Sequence, residues 1–144
     1  MPRLGKVAIG LIAVLMMGWL WHGPMGRGEL YAERLEADAR AAIAPIGLAG
    51  IAVRLPRDPI RRTAILSGPA DDLQREGLGS EYGLNDYVRE VPGIAGVRWA
   101  DRPGGPGGLP LIAETLLQLA LGYALGFGLG ALLFGRPRRR SFLD

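Results

Sequence analysis

The sequence predicts a small α+β domain, helix-strand-strand-helix-strand in order, held between two membrane-spanning helices. Three observations predict it. Apolar residues make up 49% of the 144 residues although 22% are charged, and mean hydropathy is +0.17, a combination that requires the apolar residues to be clustered. They are clustered at the two ends, in the blocks Leu4 to Trp21 and Leu111 to Phe134. Between these blocks, helical and strand periodicities alternate around glycine- and proline-rich breaks.

Composition removes most chemistry before any motif is sought. With 0 Cys there is no disulfide framework, no thiol catalysis, no cysteine metal site and no lipidated cysteine anchor. One His and three Ser (Ser67, Ser80, Ser141) leave little for a nucleophile and base. The expectation is a protein that acts by binding, with no cofactor and no enzymatic activity.

The first element, Leu4 to Trp21, is 18 residues interrupted only by Lys6. As a helix it is roughly 27 Å long, the short end of a membrane span. A cleaved signal peptide would also place Arg3 and Lys6 ahead of an apolar core. No A-x-A-like site follows, however, and the core ends in Trp19 and Trp21, amphipathic rings suited to the membrane interface. Residues 1–22 are therefore expected to be a retained anchor, with 23–28 (GPMGRG) a linker before the domain at 29–102.

Within that domain, Tyr31, Leu35, Ala39, Ala42, Ile43 and Ile46 fall near helical spacing, and Glu36 and Arg40 stand four apart on the polar side. The helix should end near Pro45 and Gly47. Ile51, Val53 and Leu55 alternate with Ala52 and Arg54, a half-buried strand. Turn residues Pro56 to Ile60 lead to a second strand, Thr63 to Ser67, so a hairpin is expected. From Asp71 to Val91 the chain begins with helix-starting acids, and Leu84, Tyr87, Val88 and Val91 are spaced for a helix face. Gly77, Gly79 and Gly83 should break or bend it. Gly96 to Asp101 places Val97 and Trp99 on one face of a third strand.

Residues 103–110, with Pro103 to Gly108 reading PGGPGG, form a second linker into the helix 111–135. Its apolar run, Leu111 to Phe134, is 24 residues interrupted by Glu114 and Gln118. That is roughly 36 Å of helix, enough to span with tilt. A basic tail follows, 136–144, with Arg136, Arg138, Arg139 and Arg140.

Charge sets the expected orientation. From His22 to Pro110 there are 11 Arg against 12 Asp plus Glu, a net of −1, so the chain's +3 lies outside the two spans. Arg3, Lys6, Arg136, Arg138, Arg139 and Arg140 then read as cytoplasmic topology signals and lipid contacts, with the middle domain periplasmic. Nucleic acid is not an expected partner.

Half of the chain, Glu29 to Asp101, resembles a BON domain, a small module of bacterial envelope proteins. The likeness rests on the first helix leading into Gly50-Ile51-Ala52-Val53, on Ala64-Ile65-Leu66-Ser67-Gly68, and on Val91-Pro92-Gly93-Ile94-Ala95-Gly96-Val97. The Pro-rich hairpin turn and the glycine-broken second helix depart from the family pattern. The resemblance implies an αββαβ fold, a non-enzymatic role, and attachment to phospholipid or to envelope proteins.

Candidate sites are few. Gly122, Gly126 and Gly130 repeat every four residues along one helix stripe, a close-approach surface for the first span (which offers Gly10 and Gly18), a second copy or another membrane protein. Glu114, one turn inside its span, reads as a carboxylate reaching back to the interface. His22 reads as an interfacial side chain ahead of a metal or chlorin-pigment ligand. Asp71, Asp72 and Asp86 read as a solvated helix face, and Gly77-Leu78-Gly79 lacks the spacing and the strand context of a dinucleotide loop. The expected function is an accessory or scaffold subunit of a larger bacterial inner-membrane assembly. The alternative is an independent envelope-maintenance protein whose BON-like domain binds phospholipid.

Overall fold

Two apolar helices lie side by side and carry a three-stranded sheet at one end. The computed structural model describes residues 3–79, 81–104 and 107–134. Its elements are α1 (Arg3–His22), α2 (Arg27–Ile43), β1 (Ala52–Arg54), β2 (Thr63–Ser67), α3 (Asp72–Glu76), β3 (Gly77–Leu78), β4 (Glu81–Tyr82), α4 (Leu84–Arg89), β5 (Gly96–Trp99) and α5 (Leu111–Phe134), with a single 3-10 turn at Ala44–Ile46. Both α1 and α5 are long and apolar enough to cross a membrane. The α+β class and the two flanking apolar helices are as the sequence predicts.

The two end helices run antiparallel. A Cβ at Gly18 would collide with Leu119 and crowd Leu116, and one at Gly10 would collide with the Tyr123 ring. The bare glycines of α1 thus receive the large side chains of α5. Near the far end of the pair, the Tyr123 hydroxyl donates to the Val7 carbonyl at 2.9 Å. A hydroxyl facing hydrocarbon would be left unpaired, so this bond adds direction to a contact otherwise made by packing.

The sheet has the order β1-β2-β5, with β2 antiparallel to β1 and parallel to β5. Its register aligns Val53, Leu66 and Trp99 in one row. All three are buried, as is Ala64 in the same face of β2. Onto this face pack Ala32, Leu35, Ala39 and Ile43 of α2 and Leu84 and Val88 of α4. A parallel pair such as β2 and β5 needs a crossover connection, and α3 and α4 supply it.

Trp99 is the largest buried side chain, only 2% exposed. Its indole N–H donates to Asn85 Oδ1 at 2.9 Å, and the Arg75 guanidinium lies 4.1 Å above its ring. Arg75 then grips Asp101 with two bonds, of 3.2 and 2.8 Å. That grip holds the Asp101 carboxyl below the usual aspartate range. One residue therefore ties β5 to both halves of the broken helix.

The break itself follows the glycines. Asp71 caps α3 by accepting from the Gln74 backbone N–H at 2.7 Å, while the Gln74 side chain accepts from Asp71 N–H at 3.0 Å. At Gly77 and Gly79 the backbone turns to φ +76° and +62°, conformations that disfavour a Cβ, and the two-residue strands β3 and β4 pair there.

Three side chains depart from the sequence expectation. Tyr31 and Tyr87, read as core positions, are 40% and 38% exposed. In α2, Leu35, Ala39 and Ile43 are buried as read, but the stripe continues through Ala32 and not Tyr31. Glu36, assigned to the polar side, is buried: it accepts from Leu55 N–H at 2.6 Å and pairs with Arg57 at 3.0 Å and Arg40 at 3.2 Å. The carboxylate satisfies an orphan backbone donor at the end of β1, a contact across 19 residues that helix periodicity cannot reveal.

Trp99→Ala should destabilise the domain by about 3 to 5 kcal/mol, since it removes a large buried ring and leaves the Asn85 and Arg75 contacts without their centre. Denaturant titration of the purified protein, followed by circular dichroism, measures it. A loss under about 1 kcal/mol would mean that the ring is peripheral to the core.

Candidate functional site

The place where the domain meets the two apolar helices concentrates what chemistry the chain has. In the first turn of α5, Glu114 is costly to leave charged and alone in an apolar helix. Its Oε2 accepts from Arg62 Nε at 2.7 Å. Arg62 sits immediately before β2, so the ion pair joins the sheet directly to the apolar helix. The hydrogen bond to Glu114 is the first cause that raises the Arg62 guanidinium above its ordinary value, keeping it charged at any physiological pH. The expectation that Glu114 reaches the interface stands beside a partner the sequence did not identify.

Backbone contacts reinforce the joint. Leu111 N–H donates to the Ile60 carbonyl at 2.8 Å, and Arg61 bridges Pro110. In the stretch read as a linker ahead of α5, three described glycines are bonded to the sheet side: Thr63 Oγ1 donates to the Gly107 carbonyl at 2.6 Å, while Arg61 and Arg98 donate to the carbonyls of Gly108 and Gly104. Glycine carbonyls without flanking side chains are open to such donors.

Between α1, α2 and α5 lies a cavity of about 370 Å³, lined by Trp21, His22, Arg27, Tyr31, Arg34 and Thr115 among others. Arg27 and Arg34 are about two turns apart on α2 and open onto it, and the Arg27 guanidinium stands 5.2 Å from the Trp21 ring centre. Neither arginine has a carboxylate partner within salt-bridge distance among the described residues. Gly28 allows α2 to start close over the end of α1, because a Cβ there would press on the His22 imidazole. Below, and sharing Trp21 and Thr115, an apolar groove of about 340 Å³ continues between α1 and α5 past Met17, Gly18 and Leu119.

The other sequence-predicted residues fall in separate places. Trp19 and Trp21 are about half exposed, at the domain end of α1. Lys6 is near the opposite end, beside Val7, Tyr123 and Phe127. Gly122, Gly126 and Gly130 do not face α1: a Cβ at any of them meets nothing within 4 Å among the described residues. Of the three partners the stripe offers to close against, the first span uses Gly10 and Gly18 instead. The side chain of Arg3, and Arg136, Arg138, Arg139, Arg140 and Gly135, lie outside the described residues.

The cavity was missed from sequence because its lining comes from three helices far apart in the chain. The one available signal was Arg27 and Arg34 flanking Leu30 and Tyr31, a basic and apolar edge on α2 distinct from its core stripe. No family model, curated protein or solved structure matches the chain.

A double-mutant cycle of Arg62→Ala and Glu114→Ala should give a coupling of about 1 kcal/mol in thermal unfolding of the detergent-solubilised protein, each single change destabilising by more than its share of the double. Additive effects would mean the pair contributes nothing to the joint.

Proposed function

We propose that the protein is a non-enzymatic accessory subunit of a larger membrane assembly, held in a bacterial inner membrane by α1 and α5, with its αββαβ domain periplasmic and both termini cytoplasmic. The observation that carries this reading is the unused glycine stripe on α5. Gly122, Gly126 and Gly130 form a surface without side chains, and the contact with α1 leaves it open. In hydrocarbon, helices associate by close packing and not by hydrophobic drive, so such a surface suits another helix better than lipid. The antiparallel arrangement of α1 and α5 supports placing both termini on one side, the side that the basic residues assign to the cytoplasm. The element order supports a BON-like module in the periplasm, where it would contact the outer face of the same assembly.

Reporter fusions test the orientation: one after Asp101 should behave as periplasmic and one after Asp144 as cytoplasmic, and the opposite pattern would overturn it. Gly126→Leu tests the assembly. A branched side chain there pushes a neighbouring helix backbone away, yet is at home among acyl chains. Co-purification with other membrane subunits in mild detergent should be lost while membrane insertion and the α1 contact persist. Leu129→Ala should have a smaller effect. Unchanged association would remove the scaffold reading and favour an independent envelope protein that binds phospholipid.

A further inference from the structure

We infer that the cavity at the junction of α1, α2 and α5 binds one anionic phospholipid of the surrounding membrane, its phosphate between Arg27 and Arg34 and one acyl chain in the groove between α1 and α5. The proposal rests on the reading of α1 and α5 as membrane spans, and goes beyond the subunit role by assigning a ligand to a different surface.

Three features of the cavity point to this occupant. Its upper part is cationic: Arg27 and Arg34 open onto it without carboxylate partners among the described residues. Its lower part is apolar: Val14, Met17, Gly18 and Leu119 line the groove, with Leu119 closing its floor over Gly18. The two parts adjoin, because Trp21 and Thr115 border both. A soluble anion would fill only the upper part and an apolar peptide only the lower. A phospholipid has both chemistries in this order.

The position along the spans agrees. Trp21 ends α1 and Thr115 is in the second turn of α5, so the change from cationic to apolar occurs at the level where Trp19 and Trp21 belong at a membrane interface. Tyr31, half out of the domain core, supplies a hydroxyl-bearing ring at the same level. Its hydroxyl lies against Gly93, and the exposed part of the ring borders the cavity. Basic side chains near a membrane surface attract anionic lipids individually and together, which sets the preference expected for a paired site.

Native mass spectrometry of the full chain in mild detergent, titrated with phosphatidylglycerol or with phosphatidylcholine of the same chain length, tests the assignment. The wild-type chain should retain one phosphatidylglycerol with at least about tenfold preference over phosphatidylcholine. Arg27→Gln with Arg34→Gln, both exposed and without carboxylate partners among the described residues, should bring the two lipids to parity. Thr115→Trp, which fills the junction of cavity and groove, should weaken both. Glycerol phosphate, the headgroup chemistry without chains, should not displace the bound lipid at equal concentration. Equal binding of the two lipids by the wild-type chain, an unaffected double arginine variant, or displacement by glycerol phosphate would each overturn the proposal. So would a photo-crosslinker at Met17 that adds the mass of a polypeptide and not of a lipid. Alkaline carbonate washing of membranes separates the premise from the inference: a chain released by the wash refutes the spans and the site together, whereas a retained chain without lipid preference refutes the site alone.

Discussion

A carboxylate in the first turn of an apolar helix must find a cation or a path to water, and Glu114 finds Arg62 at 2.7 Å. This contact spans 52 residues and lies at the base of β2, the central strand of the sheet. With Leu111 bonded to Ile60 and the glycine carbonyls bonded to Arg61, Thr63 and Arg98, it sets where the sheet stands over α5. The position of α2 over α1 is set by the short turn between them, where Met25 N–H donates to the Leu20 carbonyl at 3.1 Å and Gly28 lies against His22. An ion pair at a protein surface contributes little, but one placed at a domain joint restricts which geometries keep it, and the backbone bonds around it share the constraint.

The domain solves a size problem as well. Its 74 residues (29–102) can bury only a modest core, and the two long helices fasten both of its ends. Within that core, two polar side chains that join elements find specific partners, whereas Arg61 Nε and Arg98 Nε at the sheet's edge have none among the described residues. Trp99 meets Asn85 and Arg75, and Glu36 meets Leu55 N–H with two arginines. These contacts link elements that hydrophobic packing alone would leave free to slide: the broken helix against β5, and α2 against the end of β1.

Glycine has three different uses here, and only geometry separates them. Gly10 and Gly18 accept Tyr123 and Leu119 across the helix pair. Gly77 and Gly79 reverse the chain where a Cβ would be strained. A Cβ at Gly122, Gly126 or Gly130 would meet nothing within 4 Å among the described residues. The spacing of four that marks the last set does not distinguish glycines that meet α1 from glycines that do not.

What the sequence determined by itself was local. The two apolar blocks, the helix and strand periods between them, the break at Gly77 and Gly79 and the burial of Trp99 follow from residue spacing, because each depends on neighbours within a few positions. The tertiary structure alone decided the rest. It turned α2 so that Ala32 and not Tyr31 faces the sheet, drew Glu36 inward, paired Glu114 with Arg62 and chose Gly18 over Gly126 for the contact between the helices. Each of these depends on where a residue at least 19 positions away comes to rest. Periodicity along a chain is blind to that, since several rotations of a helix bury nearly the same apolar area and only the partners it meets distinguish them.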